Sequence, residues 1–428
     1  MKILVVGNGG REHTLTWKIA QSPLVEKIYC APGNAGTSKL AENIPIAATD
    51  IEELLSFASD KRIDLTVVGP EDPLVNGIVD EFEALGLKIF GPRKTAARLE
   101  GSKVFAKNLM HTYNIPTAQY AVFDKPSGAY QYIDNLHNFP VVLKASGLAA
   151  GKGVLICGTR EAAVSGIKNL MEEKVFGTAA AQIVIEEYLE GDELSLFAIC
   201  DGENYVLLPS SQDHKKILDG DKGKNTGGMG AYAPAPLATP DLIEKVRRTI
   251  IGPTLSAIAV EATPYKGVLY FGLMIDRDRI NVLEYNCRFG DPETEVVLPL
   301  LKNDLVPILM ASAEGNLSGV KVDVHKQWAI DVVLASGGYP DGYEKGKIIQ
   351  GLDRVPDDIL VFHAGTQLKE NKVVTSGGRV LNIVALGDDF NQVRDHLYKQ
   401  IENIYFDRIY YRKDIGYRAL KYFPADAK

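Results

Sequence analysis

Over the first hundred residues, short apolar runs alternate with amphipathic stretches. KILVV (from residue 2), EKIYCA (from 26), IDLTVVG (from 63) and LKIFG (from 87) have strand length and a β-branched character,. Helical periodicity between them predicts helices beginning near Arg11, Asp50, Val75 and Lys94. Strands that alternate with helices predict a doubly wound parallel α/β unit, with ligand loops at the carboxyl ends of its strands.

From about residue 101 the apolar runs come in pairs: PVVLKAS with GKGVLIC, AQIVIEEYL with ELSLFAIC, and GVLYFGLMID with RINVLEYN. Such pairs predict antiparallel sheets with a few helices, an α+β region. The stretch Pro209 to Pro240 is rich in Gly, Lys and Pro and has no period, which marks a lid or binding segment,. From 326, WAIDVVLAS, ILVFHAG, KVVTSGGRVLNIVALG and a helix over 389–403 predict a small mixed β/α domain. The expected division is 1–100, 101–325 and 326–428, with no internal repeat or heptad run.

Composition changes this picture little. A chain of 428 residues exceeds what one core serves, so several subdomains around a shared cleft are expected,. A hydrophobic fraction of 46% and a charged fraction of 24% are those of an ordinary globular protein,. The net charge of -8 argues against nucleic acid as a partner,. No apolar stretch reaches membrane-spanning length, and MKILVVGNGG reads as a first strand rather than a secretory signal, so a cytoplasmic protein is expected,. Cys30, Cys157, Cys200 and Cys287 form no CxxC pair and read as buried free thiols,.

Candidate chemistry begins at GNGGREH, between the first strand and the first helix. A dinucleotide fingerprint fails there, because Glu12 stands where the third glycine belongs and no carboxylate ends the second strand,. An anion site survives: Gly9 and Gly10 at a helix N-terminus offer backbone N–H groups, and Arg11 adds a full charge. The loops PGNAGT, with Gly33 and Asn34, and GPEDPL, with Glu71 and Asp72, come to the same sheet edge. Carboxylates there suit sugar hydroxyls or an amine; the alternative is plain turns.

KASGLAAGKGV, Lys144 to Val154, is not a Walker loop, since Gly153 replaces the Ser/Thr and a strand follows,. Such a turn can fold over a triphosphate. In VIEEYLEGDELS, backbone groups of an interdomain strand can read an adenine edge and Glu193 can take ribose hydroxyls, although acidic turns are often merely solvated. NVLEYNCRFGDPE places Glu284 and Asn286 two apart on a strand, on one face,. Two oxygen ligands suit Mg²⁺, which takes few protein ligands beside phosphates and water. Arg288 follows, placed to steady a phosphoryl group or hold a carboxylate. In the long segment, DHKK and NTGGMGAY form a mobile, Lys-rich stretch fit for closing over substrate. There is no GxSxG and no HExxH.

Taken in order, GNGGREH, PGNAGT, GPEDPL, KASGLAAGKGV, VIEEYLEGDE, NTGGMGAYAP, LEYNCRFGDPE and SGGRVL resemble the glycinamide ribonucleotide synthetases of the ATP-grasp superfamily over nearly the whole chain. The resemblance implies a Rossmann-like preATP-grasp domain, an ATP-grasp domain with a mobile nucleotide-covering part over about 115–190, and a C-terminal domain. It implies that glycine and ATP form glycyl phosphate, which the amine of 5-phosphoribosylamine converts to glycinamide ribonucleotide, with ADP and phosphate released. Carried over, Lys103 and Lys144 match the ATP-phosphate lysines, and Ser146, Gly151, Lys152 and Gly153 the phosphate cover. Glu186, Glu187, Tyr188 and Leu189 match the adenine-reading strand, Glu193 the ribose carboxylate, and Glu284 and Asn286 the Mg²⁺ (or Mn²⁺) ligands. Arg288, Asp213 and Lys215 are candidates for the glycine and acyl-phosphate pocket. Gly9, Gly10, Arg11, Glu12, Gly33, Asn34, Glu71, Asp72, Gly378 and Arg379 are candidates for phosphoribosylamine. Expected partners are small molecules, with the chain a monomer or weak oligomer. The rival readings are another ATP-grasp ligase or carboxylase, a nicotinamide-dependent oxidoreductase, and a non-catalytic nucleotide-binding regulator.

Overall fold

The computed structural model describes residues 1–149 and 153–423. The first unit is a five-stranded sheet, parallel throughout, in which Lys2–Gly7 lies between Lys27–Pro32 and Leu65–Val68. The central strands Lys2–Gly7 and Leu65–Val68 are buried on both faces, as the continuous apolar runs require,. The helix expected near Val75 instead starts at Glu71 and breaks at Gly77, whose φ of +98° is the left-handed conformation that a glycine adopts without strain,.

Two antiparallel four-stranded sheets build the middle. One orders Tyr120–Phe123, Ile183–Glu187, Val141–Ala145 and Val154–Cys157. The other joins Tyr205–Leu207, Asp192–Asp201, Lys266–Asp276 and Arg279–Asn286. Two of the three expected pairs are hairpins. The third is not: Ile183–Glu187 and Asp192–Asp201 are adjacent in sequence but lie in different sheets, so the turn between them crosses from one sheet to the other.

The fourth sheet centres on Trp328–Ser336 and Arg379–Gly387, flanked by Ile359–His363. Two strands from the aperiodic stretch, Gln212–Asp213 and Gly230–Ala233, extend it. That stretch therefore belongs to a sheet, with a second hairpin of Lys216–Leu218 and Lys222–Asn225 projecting from it. All four cysteines are buried and free. Among the described residues no helix is long and apolar enough to cross a membrane.

Candidate active site

The sheets converge on a cleft of 850 Å³. One wall begins at the helix Lys103–Thr112, whose start is fixed by Ser102: its Oγ accepts from the backbone N–H of Phe105 at 3.2 Å,. Lys103 in its first turn and Lys107 one turn later share the face towards the cleft,. Opposite, Glu186 Oε2 lies 3.1 Å from Lys107 Nζ and 2.9 Å from Lys144 Nζ. Lys107 also donates to Thr117 Oγ1 at 2.7 Å, and Lys144 to the carbonyl of Leu283 at 3.1 Å. The other oxygen of Glu186 is buried and meets no partner among the described residues. Burial lowers Lys107 to about 8 against the pull of Glu186. Burial likewise lowers Lys103, opposed by Glu284.

The floor is the strand Arg279–Asn286, which brings Glu284 and Asn286 into the cleft. Burial alone would raise the Glu284 carboxyl, but Lys215, Lys144, Lys103 and Arg288 outweigh it and hold it at about 2. Lys215 Nζ stands 3.0 Å from Glu193 and 3.6 Å from Glu284. Burial disfavours its charge; Glu193, Tyr270 and Glu284 more than restore it.

Beyond the floor, Arg288 is forked between two carboxylates, Glu71 at 3.1 Å and Glu100 at 3.0 Å. Glu100 also accepts from the backbone N–H of Cys287 at 2.7 Å. Burial pushes Glu100 up to about 7 although Arg288 opposes it, whereas Arg288 and Arg11 overcome burial at Glu71 and hold it at about 2. Arg379 pairs with Asp291 at 3.0 Å and donates to the carbonyls of Gly227 (2.6 Å) and Asp291 (2.8 Å). Asp213 is buried near these cations, and its Oδ1 has no partner among the described residues. Burial and Glu293 raise it more than Lys215 and Arg379 lower it.

The structure thus gathers into one cleft Arg11, Glu71, Lys103, Lys144, Gly153, Glu186, Glu187, Tyr188, Leu189, Glu193, Asp213, Lys215, Glu284, Asn286, Arg288 and Arg379. Gly151 and Lys152 lie outside the described residues. Other expected residues do not line the cleft. Glu12 is 2% exposed and its carboxylate is occupied within its own loop: it accepts from the backbone N–H of Gly9 and pairs with Arg11, both at 2.5 Å, beneath Gly7 and Gly69. The bulk that spoils a dinucleotide fingerprint here becomes the cap of the first helix. Asn34 is also turned inward, donating to the carbonyls of Asn8, Gly9 and His363 and accepting from the N–H groups of Gly36 and Thr37. Gly33 packs against Asn43, and Gly378 against Tyr339. Ser146 ties its loop to the helix at Lys103, while Asp72 is exposed. Gly9 and Gly10 lie against Asp291 and Asn382 respectively.

Lys107, Glu100 and Asp291 were not singled out from sequence. Lys107 had a signal, four residues after Lys103 on one helix. Glu100 had none, since only the fold brings it to Arg288.

Family models for phosphoribosylglycinamide synthetase match three consecutive parts of the chain: the N domain over 1–100, the ATP-grasp (A) domain over 101–294 and the C domain over 329–418. A phosphoribosylamine–glycine ligase of Chlorobaculum tepidum is 48% identical over 98% of this chain and 100% of its own length. The crystal structure of phosphoribosylamine–glycine ligase from Thermotoga maritima superposes with a TM-score of 0.84 at 38% identity, covering 97% of this chain and 100% of that one. The biotin carboxylase domain of Hydrogenobacter thermophilus 2-oxoglutarate carboxylase shares the fold (TM-score 0.73, 17% identity, 100% and 95% covered) and was solved with MgADP and bicarbonate. With its ATP-grasp core and matches along nearly its whole length, the chain belongs to the phosphoribosylglycinamide synthetase family.

Proposed function

We propose that this chain ligates glycine to 5-phosphoribosylamine at the expense of ATP, through glycyl phosphate, in purine biosynthesis. The observation that carries the reading is the set of Lys103, Lys144 and Lys215 around the ionised Glu284, with Arg288 beyond. It is a cationic slot for a polyphosphate that ends where a phosphoryl group would pass to a carboxylate. Relatives at 48–49% identity bear the ligase name over their whole length.

Phosphoryl transfer needs alignment and charge more than covalent help. Lys103 and Lys144 hold the ATP phosphates, Gly153 belongs to the covering loop, and the strand end Glu186 to Leu189 receives the adenine. Glu193 takes the ribose. Arg288, clamped by Glu71 and Glu100, presents a fixed guanidinium to the glycine carboxylate and to the phosphoryl group it accepts. Asp213 offers its open oxygen to the glycine ammonium, with Lys215 beside the acyl phosphate. Arg11, Glu71 and Arg379 face the ribosyl-phosphate substrate, whose amine attacks the acyl carbon and expels phosphate. The Gly9–Gly10 loop borders this end of the cleft.

Glu284 and Asn286 fit a divalent cation, Mg²⁺ or Mn²⁺: one oxygen is kept ionised and the other is a neutral amide. Two such ligands suit Mg²⁺, which takes few protein ligands and would draw the rest from substrate phosphates and water. A cation held by Glu284 and Asn286 would supply positive charge to the transferred phosphoryl group. In this reading residues 1–100 carry the ribosyl-phosphate loops, 101–325 the nucleotide, with about 115–190 as its mobile cover, and 326–428 close the far side.

ADP release from ATP and Mg²⁺ tests the reading, with glycine, with phosphoribosylamine and with both, beside other carboxylates and bicarbonate. ADP formation requiring glycine and phosphoribosylamine together is expected. Turnover with another carboxylate and none with this pair would keep the ATP-grasp mechanism and refute the substrates.

A further inference from the structure

The segment that runs from the strand Gln212–Asp213 through Lys215 into the strand Lys216–Leu218 is held by the end of the chain, of which Tyr417 and Arg418 also line the cleft. Arg418 Nη1 donates to the carbonyl of Asp213 at 3.1 Å, and the N–H of Gly416 to His214 Nε2 at 3.2 Å. Arg412 Nη1 donates to the carbonyl of Lys216 at 3.0 Å, and the Tyr410 hydroxyl to that of Ile217 at 2.7 Å. Asp221, on the turn of the hairpin that follows, collects the Arg412 guanidinium at 2.9 Å, that of Arg418 at 2.5 Å, and the Tyr417 hydroxyl. Asp414 holds the other side of Arg412 at 2.8 Å and accepts from the N–H of Gly220 at 2.7 Å. Arg412 is fully buried and does not line the cleft.

The contacts fall on Asp213, His214, Lys216 and Ile217 of this short segment, and most go to its backbone. A buried guanidinium clamped between two carboxylates is costly to bury and rigid once satisfied. Such an arrangement fixes a segment's position to within a fraction of an ångström, the tolerance that reacting groups demand. We infer that Arg412, with Asp221 and Asp414, is a positioning device for the segment bearing Asp213 and Lys215, so that docking of residues 410–418 sets how well the glycine side of the site is aligned. The inference rests on the proposed ligase reading, in which that segment faces glycine and the acyl phosphate.

The test is Arg412→Lys in the full-length protein, which keeps the charge and removes the fork. Active sites are counted by titration with a non-hydrolysable ATP analogue. Per nucleotide-binding site, the KM for glycine should rise about tenfold or more, while the KM for ATP and the analogue's affinity stay within about twofold. Asp221→Asn, which keeps the shape and removes charge, should move the same constants in the same direction, and it replaces the first variant if that one does not fold. A purely structural role would lower the number of competent sites and leave both KM values unchanged, and that result would overturn the inference. Equal losses for ATP and glycine would overturn it too. If the parent protein formed no ADP with glycine and phosphoribosylamine, the ligase reading itself would fall, which is a separate result.

Discussion

At the residue scale, the site works by pairing charges that are expensive to bury singly. Glu186 Oε2 is shared between Lys107 and Lys144, at 3.1 and 2.9 Å. Without Lys107, that carboxylate would have Lys144 as its one cationic partner among the described residues and, in the proposed nucleotide site, would compete with the ATP phosphates for it,. Lys107→Met, which preserves the buried stem, should therefore raise the KM for ATP about tenfold and leave the KM for glycine nearly unchanged. Equal effects on both substrates would show that Lys107 supports the fold of the cleft and not the nucleotide. Strand periodicity pairs Glu284 with Asn286, Lys144 flanks a Gly-rich loop, and Lys103 came only from the family resemblance; all four line the cleft. Glu100 was not legible, because its partner Arg288 lies far along the chain and nothing local in LEGSK encodes that meeting.

At the scale of elements, alternation of period predicted the parallel sheet well, since each of its strands is bounded by its own turn. It failed between Glu187 and Asp192, where two adjacent apolar strands look like a hairpin but enter different sheets. It also read Pro209 to Pro240 as a lid or binding segment without strands, because strands of two to four residues are too short for a period to show. The fourth sheet hides a further element-level feature. Asp331 and Asn382 share one face of the paired strands Trp328–Ser336 and Arg379–Gly387, and that face meets Glu295 on the helix Thr294–Leu300. All three are buried, and none of their polar side-chain atoms has a partner among the described residues. Burial, then the neighbouring Asp291 and Asp331, raise Glu295 well above its ordinary range. The folded state then retains a proton that the unfolded chain sheds, so this group costs stability as pH rises above about 4.5, and the cost persists at neutral pH. Glu295→Gln should raise the melting midpoint by about 2 °C or more at pH 8, with a smaller gain near pH 5. A variant less stable than the parent at pH 8 would mean that the carboxylate is ionised and compensated.

For the whole molecule, the decisive joint is where the first helix of the parallel sheet meets the last sheet of the chain. His13 Nδ1 accepts from the backbone N–H of His363 at 2.7 Å, which places its own proton on Nε2,. Asn34 donates to the carbonyl of the same residue at 2.7 Å, and Phe362 packs edge-on against His13 and Trp17. Asn34 also donates to the carbonyls of Asn8 and Gly9, so the joint adjoins the loop proposed for the ribosyl-phosphate substrate. Burial, then His363 and Lys39, lower His13 to about 3; burial, then Lys39, lower His363 to about 4. Both rings are therefore neutral in the folded state at pH values where the unfolded chain is protonated. Between about 6.5 and 4 the unfolded state binds more protons, so stability falls as pH falls, by roughly 1.4 kcal/mol per pH unit for each ring. Melting midpoints measured from pH 7.5 to 4.5 should drop steeply below 6.5. In His13→Asn, whose side-chain oxygen can still accept from His363, the slope should fall by about a third, because His363 and the likewise buried His214, lowered to about 3, still contribute,. An unchanged slope in that variant would place the acid sensitivity elsewhere. Loss of phosphoribosylamine binding before ATP binding on acidification would identify this joint as the first part of the site to open.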